Sequence, residues 1–133
     1  MAFILVVDRE EGPAGALASA LEKQGYEVAR VADTAATFSL VRERTPHLVV
    51  LDLMQATEDP DDDQPEGVKL LAQLYLDHPE VPLIVYSSEI SYKEQFWSWA
   101  AAAHLDKSRG PDQVTAVVEE LLGEESGEPG SPG

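Results

Sequence analysis

Two carboxylates, Asp8 and Asp52, each close a short continuous run of apolar residues, Phe3 to Val7 and Leu48 to Leu51. A third run, Leu83 to Tyr86, closes on the hydroxyls of Ser87 and Ser88, and the short segment from His104 to Asp106 is followed by the ammonium of Lys107. Phosphoryl transfer to a carboxylate needs a nucleophile and cations to neutralise the charge on the transferring oxygens, and these residue types supply both. Taken singly, each has an ordinary structural explanation: a cap or turn acid for Asp8 and Asp52, a turn hydroxyl for Ser87, a solvated ammonium for Lys107. What sets them apart is their recurrence at four successive segment ends.

The segments that must position them read as strands of one parallel sheet. Apolar runs this short and this continuous are buried on both faces. Between them lie helical patterns. Ala14, Leu17, Ala18 and Leu21 follow Gly12-Pro13 at helical spacing until Gly25 supplies a C-terminal cap. Tyr26 to Val31 is a less apolar strand suited to an edge. Asp33 caps a helix from Thr34 to about Arg44, with Ala35, Phe38 and Val41 on one face, stopped by Pro46. Val68, Leu71, Leu74 and Tyr75 mark a third helix ended by His78-Pro79, and Ser91 to Ala102 a fourth, rich in aromatics. Val114, Val117, Val118, Leu121 and Leu122 stripe the last. Strand and helix alternate five times, which predicts an α/β fold, a doubly wound five-stranded parallel sheet with helices on both faces. Carboxyl ends of strands in such sheets collect ligands and chemistry.

The whole chain narrows the function. At 133 residues it suits one domain, expected over 1–122, with an acidic Gly/Pro-rich tail or linker over 123–133 of disordered composition. A net charge of −16 repels phosphate backbones and anionic lipid, so neither nucleic acid nor membrane is an expected partner. There is no cysteine, hence no disulfide framework and no thiolate metal site. No apolar run approaches a membrane span, and Met1-Ala2-Phe3 leads straight into a strand with no signal peptide, so a cytoplasmic location is expected.

With these residues in place, the chain resembles the bacterial receiver domain, the response-regulator module of two-component signalling. The resemblance covers residues 2 to 122 and rests on ILVVD in the first strand, VVLDLM in the third, VPLIVYSS in the fourth and HLDKS in the fifth. It implies a flavodoxin-like sheet of strand order 2-1-3-4-5. It also implies that Asp52 is the phosphoacceptor, served by a sensor histidine kinase, a phosphotransfer protein or a small phosphodonor. Asp8 and Asp52 would bind Mg²⁺ with the backbone carbonyl of Met54, Ser87 would be the switch hydroxyl, and Lys107 the ion-pair partner of the phosphate. His104 falls where the family has a rotating aromatic. Output to an unknown downstream protein would pass through the face of the fourth helix, fifth strand and fifth helix, with at most autodephosphorylation and no enzymatic turnover. Magnesium prefers hard oxygen ligands, few of them from protein, which suits this set.

The sequence departs from the family at two places. Where the first strand normally ends in two acids, this one has Asp8-Arg9. Three readings stay open: Glu10 reaches in as a replacement metal ligand, Arg9 pairs with Asp52 in place of the cation, or Arg9 faces solvent beside a weakened Mg²⁺ site. The second reading makes the chain a phosphorylation-independent pseudo-receiver, a binding module. The stretch Gln55 to Glu66 is longer than the common pattern, and its acids, broken by prolines, lack the geometry of a calcium loop and read as solvated. Trp97 and Trp99 lie about 200° apart on a helix, so one of them is open to solvent or both pack at its flank. His47, His78 and His104 sit on separate segments and are not read as a metal site. An aspartyl-phosphate phosphatase or phosphomutase is less well matched, since that class expects a second Asp where Met54 stands, and Asp8-Arg9-Glu10-Glu11 would repel the phosphate of a flavin.

Overall fold

The computed structural model describes residues 2–52, 66–87 and 100–123. Met54, the acid-rich stretch 55–65, Ser88, the aromatic residues Tyr92, Phe96, Trp97 and Trp99, and residues 124–133 lie outside the described residues. Five strands form one sheet: β1 (Phe3–Val7), β2 (Glu27–Val31), β3 (Leu48–Leu51), β4 (Leu83–Ser87) and β5 (Ala103–Asp106). Their order is β2-β1-β3-β4-β5 and every pairing is parallel. The fold is the flavodoxin-like one that the alternating pattern and the resemblance predict.

The three continuously apolar strands, β1, β3 and β4, occupy the centre, and the two mixed ones, β2 and β5, the edges. Side chains alternate across the pleat, so each central strand feeds two cores. Leu5, Val7, Val49, Leu51, Leu83 and Val85 face α2 (Thr34–Glu43) and α3 (Glu66–Asp77). Ile4, Val6, Leu48, Val50, Ile84 and Tyr86 face α1 (Glu11–Lys23) and the C-terminal helix (Asp112–Val118), which continues as a π-helical turn over Glu119–Gly123.

In α1 the residues placed at helical spacing, Ala14, Leu17, Ala18 and Leu21, are the buried ones. The helix begins at Glu11, ahead of Gly12-Pro13, because a proline in the first turn gives up only an N–H that has no intrahelical partner there. Gly25, at φ 98°, turns the chain out of the helix in the left-handed region that favours glycine. In α2 the buried face differs from the expected one. Ala35 is exposed, while Thr37 is fully buried beside Val41. The Thr37 hydroxyl donates to the Asp33 carbonyl at 2.8 Å, so a polar residue enters the core already satisfied. Asp33 caps α2 as expected, accepting the Ala36 N–H at 2.7 Å.

Candidate functional site

The sheet ladder runs one residue past β1 and β3. Asp8 N–H donates to the Val31 carbonyl at 3.0 Å and Asp52 N–H to the Val7 carbonyl at 3.1 Å, which fixes both acids side by side at the carboxyl edge. Both are buried, at 7% and 8% exposure, and Ser87 at the end of β4 is fully buried. The Ser87 hydroxyl donates to Asp52 Oδ1 at 2.8 Å. On its other oxygen, Oδ2, Asp52 meets Lys107 Nζ at 2.9 Å.

Lys107 opens a 3-10 turn, Lys107–Arg109, immediately after β5. That turn is held by Asp106, whose side chain accepts the Ser108 N–H at 2.9 Å, and by Gln113, whose amide donates to the Asp106 carbonyl. This hydrogen bond from Ser108 keeps the Asp106 carboxyl below the ordinary range. The turn sends the Lys107 ammonium back across the sheet edge, where it contacts Asp8 at 2.8 Å, Glu10 at 2.7 Å and Asp52 at 2.9 Å. Burial alone would lower the Lys107 pKa, but hydrogen bonds to the three carboxylates outweigh it and raise it above the ordinary lysine value. Asp8 moves upward: its burial exceeds the opposing effect of Lys107 and of the Glu10 N–H.

Of the three readings left open at Asp8-Arg9, the geometry favours the replacement by Glu10. Asp8 Oδ1 accepts the Glu10 N–H at 2.9 Å, an Asx turn that brings residue 10 and not residue 9 over the site. Arg9 is exposed, and the cation on Asp52 is Lys107. Adjacent residues on a strand point in opposite directions, so an extended backbone would set Glu10 opposite to Arg9; the Asx turn ends the strand first. An Asp two residues before an acid is the one sequence signal for it. Gln113 and Asp106, which aim Lys107, went unnoticed in the sequence, although Asp-x-Ser after a strand carries the same turn signature.

One carboxylate oxygen from each of Asp8, Glu10 and Asp52 lies within 4.8 Å of the others. Three hard oxygen donors on one cluster are typical of a Mg²⁺ site, and three carboxylates against the single ammonium of Lys107 in contact with them, counted among the described residues, carry a surplus of negative charge that suits a divalent ion. His104 lies on β5, half buried, with its imidazole Nε2 inside the protein. His47 is at the opposite edge of the sheet, where its Nδ1 accepts the Phe3 N–H at 2.9 Å. Among the described residues no histidine joins an acidic cluster.

Over residues 4–119 the chain matches the response regulator receiver domain. Nitrogen assimilation regulatory protein NtrX of Azorhizobium caulinodans is 26% identical over 122 residues, 90% of this chain but 26% of that protein. The chain therefore spans about a quarter of the curated relative's length. Among solved structures, response regulator TrrA from Thermotoga maritima, crystallised in complex with Mg²⁺-BeF, is 25% identical with a TM-score of 0.77, covering 92% of this chain and 100% of its own. The receiver domain of NtrX from Brucella abortus is 28% identical with a TM-score of 0.74, covering 90% of this chain and 98% of its own.

Proposed function

Because the chain belongs to the response regulator receiver domain family, a phosphoacceptor signalling module and not a catalytic enzyme, we propose that Asp52 accepts a phosphoryl group and that the modified chain signals by protein–protein contact. The observation that carries this reading is the environment of Asp52: a buried carboxylate at the tip of a central strand, with a hydroxyl on one oxygen and an ammonium on the other. Receiver domains generally partner histidine kinases. An Asp52 oxygen attacks phosphorus in line, the P–O bond to Asp52 forms, and the bond to the donor nitrogen or oxygen breaks with its electron pair leaving on the donor. In this reading Lys107 neutralises the negative charge that grows on the phosphoryl oxygens, and the Ser87 hydroxyl turns from the carboxylate to the new acceptor oxygens, which the contacts of both with Asp52 support.

Asp8, Glu10 and Asp52 would hold Mg²⁺, with the backbone carbonyl of Met54 as a further ligand; the ion's chemistry there is neutralisation of charge on the transferring oxygens. TrrA, a relative of this chain, was crystallised with Mg²⁺-BeF, which supports this choice of ion. In our reading the signalling unit is residues 1–122, His104 and Ser87 report the phosphate to the face that includes β5 and the C-terminal helix, and the setting is cytoplasmic. Among the described residues no helix is long and apolar enough to cross a membrane. The pseudo-receiver reading, with Arg9 on Asp52, has less support, because the ammonium on Asp52 is that of Lys107 while Arg9 is exposed.

The test is intact-mass spectrometry after incubation with acetyl phosphate, with and without Mg²⁺, on the unmodified chain and on Asp52→Ala. The expected result is a single phosphate adduct that requires both Mg²⁺ and Asp52. An adduct that persists in Asp52→Ala, or none until Arg9→Asp is introduced, would overturn the proposal.

A further inference from the structure

Lys107 Nζ is bonded to three carboxylates at once, and these are the same three that form the candidate cation cluster. An ammonium and a divalent ion compete for the same three carboxylates, so a cation that enters draws them away from Lys107. The three partners differ in freedom. Asp8 is pinned by its backbone bond to Val31 and by the Glu10 N–H on its side chain. Asp52 is pinned by its backbone bond to Val7 and by Ser87. Glu10 has a longer side chain that is 57% exposed, against 3% for Asp8 and 10% for Asp52. Its carboxylate is the most solvent-exposed member of the cluster and the one on the longest side chain.

We infer that Glu10 is a positioning residue with two alternative partners: it clasps Lys107 in the cation-free protein and passes its carboxylate to a divalent cation when one binds, so that cation entry and release of Lys107 from Glu10 are one coupled event. The inference rests on the reading of this cluster as the metal site of a receiver. Its charge logic is simple. With the cation neutralising the surplus of negative charge, Lys107 is no longer needed by Glu10 and is free to meet an anionic group arriving on Asp52.

The experiment is a double-mutant cycle on Mn²⁺ affinity, measured by titration calorimetry on the full chain as unmodified protein, Glu10→Gln, Lys107→Met and both together. Glu10→Gln is expected to weaken Mn²⁺ binding about 10-fold. Lys107→Met removes the competing ammonium and is expected to tighten binding by about 10-fold in the Glu10 chain but by about 3-fold or less in the Glu10→Gln chain, a non-additivity that marks direct coupling. Each substituent is close in size to the residue it replaces, so a loss of fold would show as a loss of calorimetric stoichiometry and not as a graded affinity. If Glu10→Gln leaves the affinity within about 2-fold, or Lys107→Met acts equally in both backgrounds, the clasp is overturned while the metal site stands. If the unmodified chain takes up no Mn²⁺ at millimolar concentration, the metal-dependent reading itself fails, and the clasp with it.

Discussion

Burial and ion pairing pull Asp8 in opposite directions, and burial is the larger effect: the carboxyl titrates above its ordinary value of 3.8. A group whose pKa is raised on folding binds its proton more tightly in the native state. Its contribution to stability is therefore full below 3.8 and is lost as pH rises through the native value. At neutral pH the buried Asp8 charge is thus a cost accepted for the site. Asp8→Asn, which imitates the neutral form, is expected to raise the unfolding free energy from urea titration by about 0.5–2 kcal/mol at pH 7 in the presence of a chelator, and the gain should vanish below pH 3.8. A midpoint that falls at pH 7 would mean that the Lys107 pair outweighs burial. The same substitution removes one metal donor, so the more stable variant should be the poorer acceptor.

At the scale of the element, the position of Lys107 depends on how β5 ends. The 3-10 turn Lys107–Arg109 closes on Gly110, whose φ of 86° and ψ of 174° lie in a region almost restricted to glycine. The Gly110 N–H donates back to the Lys107 carbonyl at 3.0 Å, so the turn and the ammonium's origin move together. Gly110→Ala meets no steric obstacle from neighbours, and its cost is the backbone conformation alone. We expect a loss of about 1–3 kcal/mol in urea unfolding and a slower rate of adduct formation with acetyl phosphate. A variant as stable as the parent would show that the turn relaxes freely, and the aiming of Lys107 would then rest on Asp106 and Gln113.

At the scale of the whole molecule, 25 acidic residues against nine basic ones give a net charge of −16, and a compact chain so charged repels itself. Screening should relieve this. The urea midpoint is expected to rise steadily between about 0.02 M and about 0.5 M NaCl, over which the Debye length falls several-fold. A flat or falling response would mean that the exposed ion pairs Glu11–Arg30 and Glu27–Arg44, which salt weakens, outweigh the repulsion.

The fold was legible in the residues because burial on two faces leaves a mark. Phe3 to Val7, Leu48 to Leu51 and Leu83 to Tyr86 are apolar without alternation, so they had to be central, and Glu27 with Arg30 in β2 had to be an edge. The buried face of α1 was legible to the residue, whereas that of α2 was legible only at Phe38 and Val41, since a hydropathy pattern cannot foresee that Thr37 satisfies its hydroxyl on its own helix. Asp8, Asp52, Ser87 and Lys107 could be picked out because each ends or follows a strand, and parallel strands bring their ends to one edge. What only the tertiary structure decided is how those ends meet. Residues 8, 10, 52, 87 and 107 converge through an Asx turn, a 3-10 turn and the stagger of three strands, each a matter of backbone direction. Sequence spacing records that a turn occurs but not where it aims the side chain that follows, and so the sequence left Arg9 against Glu10 open, while the fold brings the Glu10 carboxylate onto Lys107 beside Asp8 and Asp52.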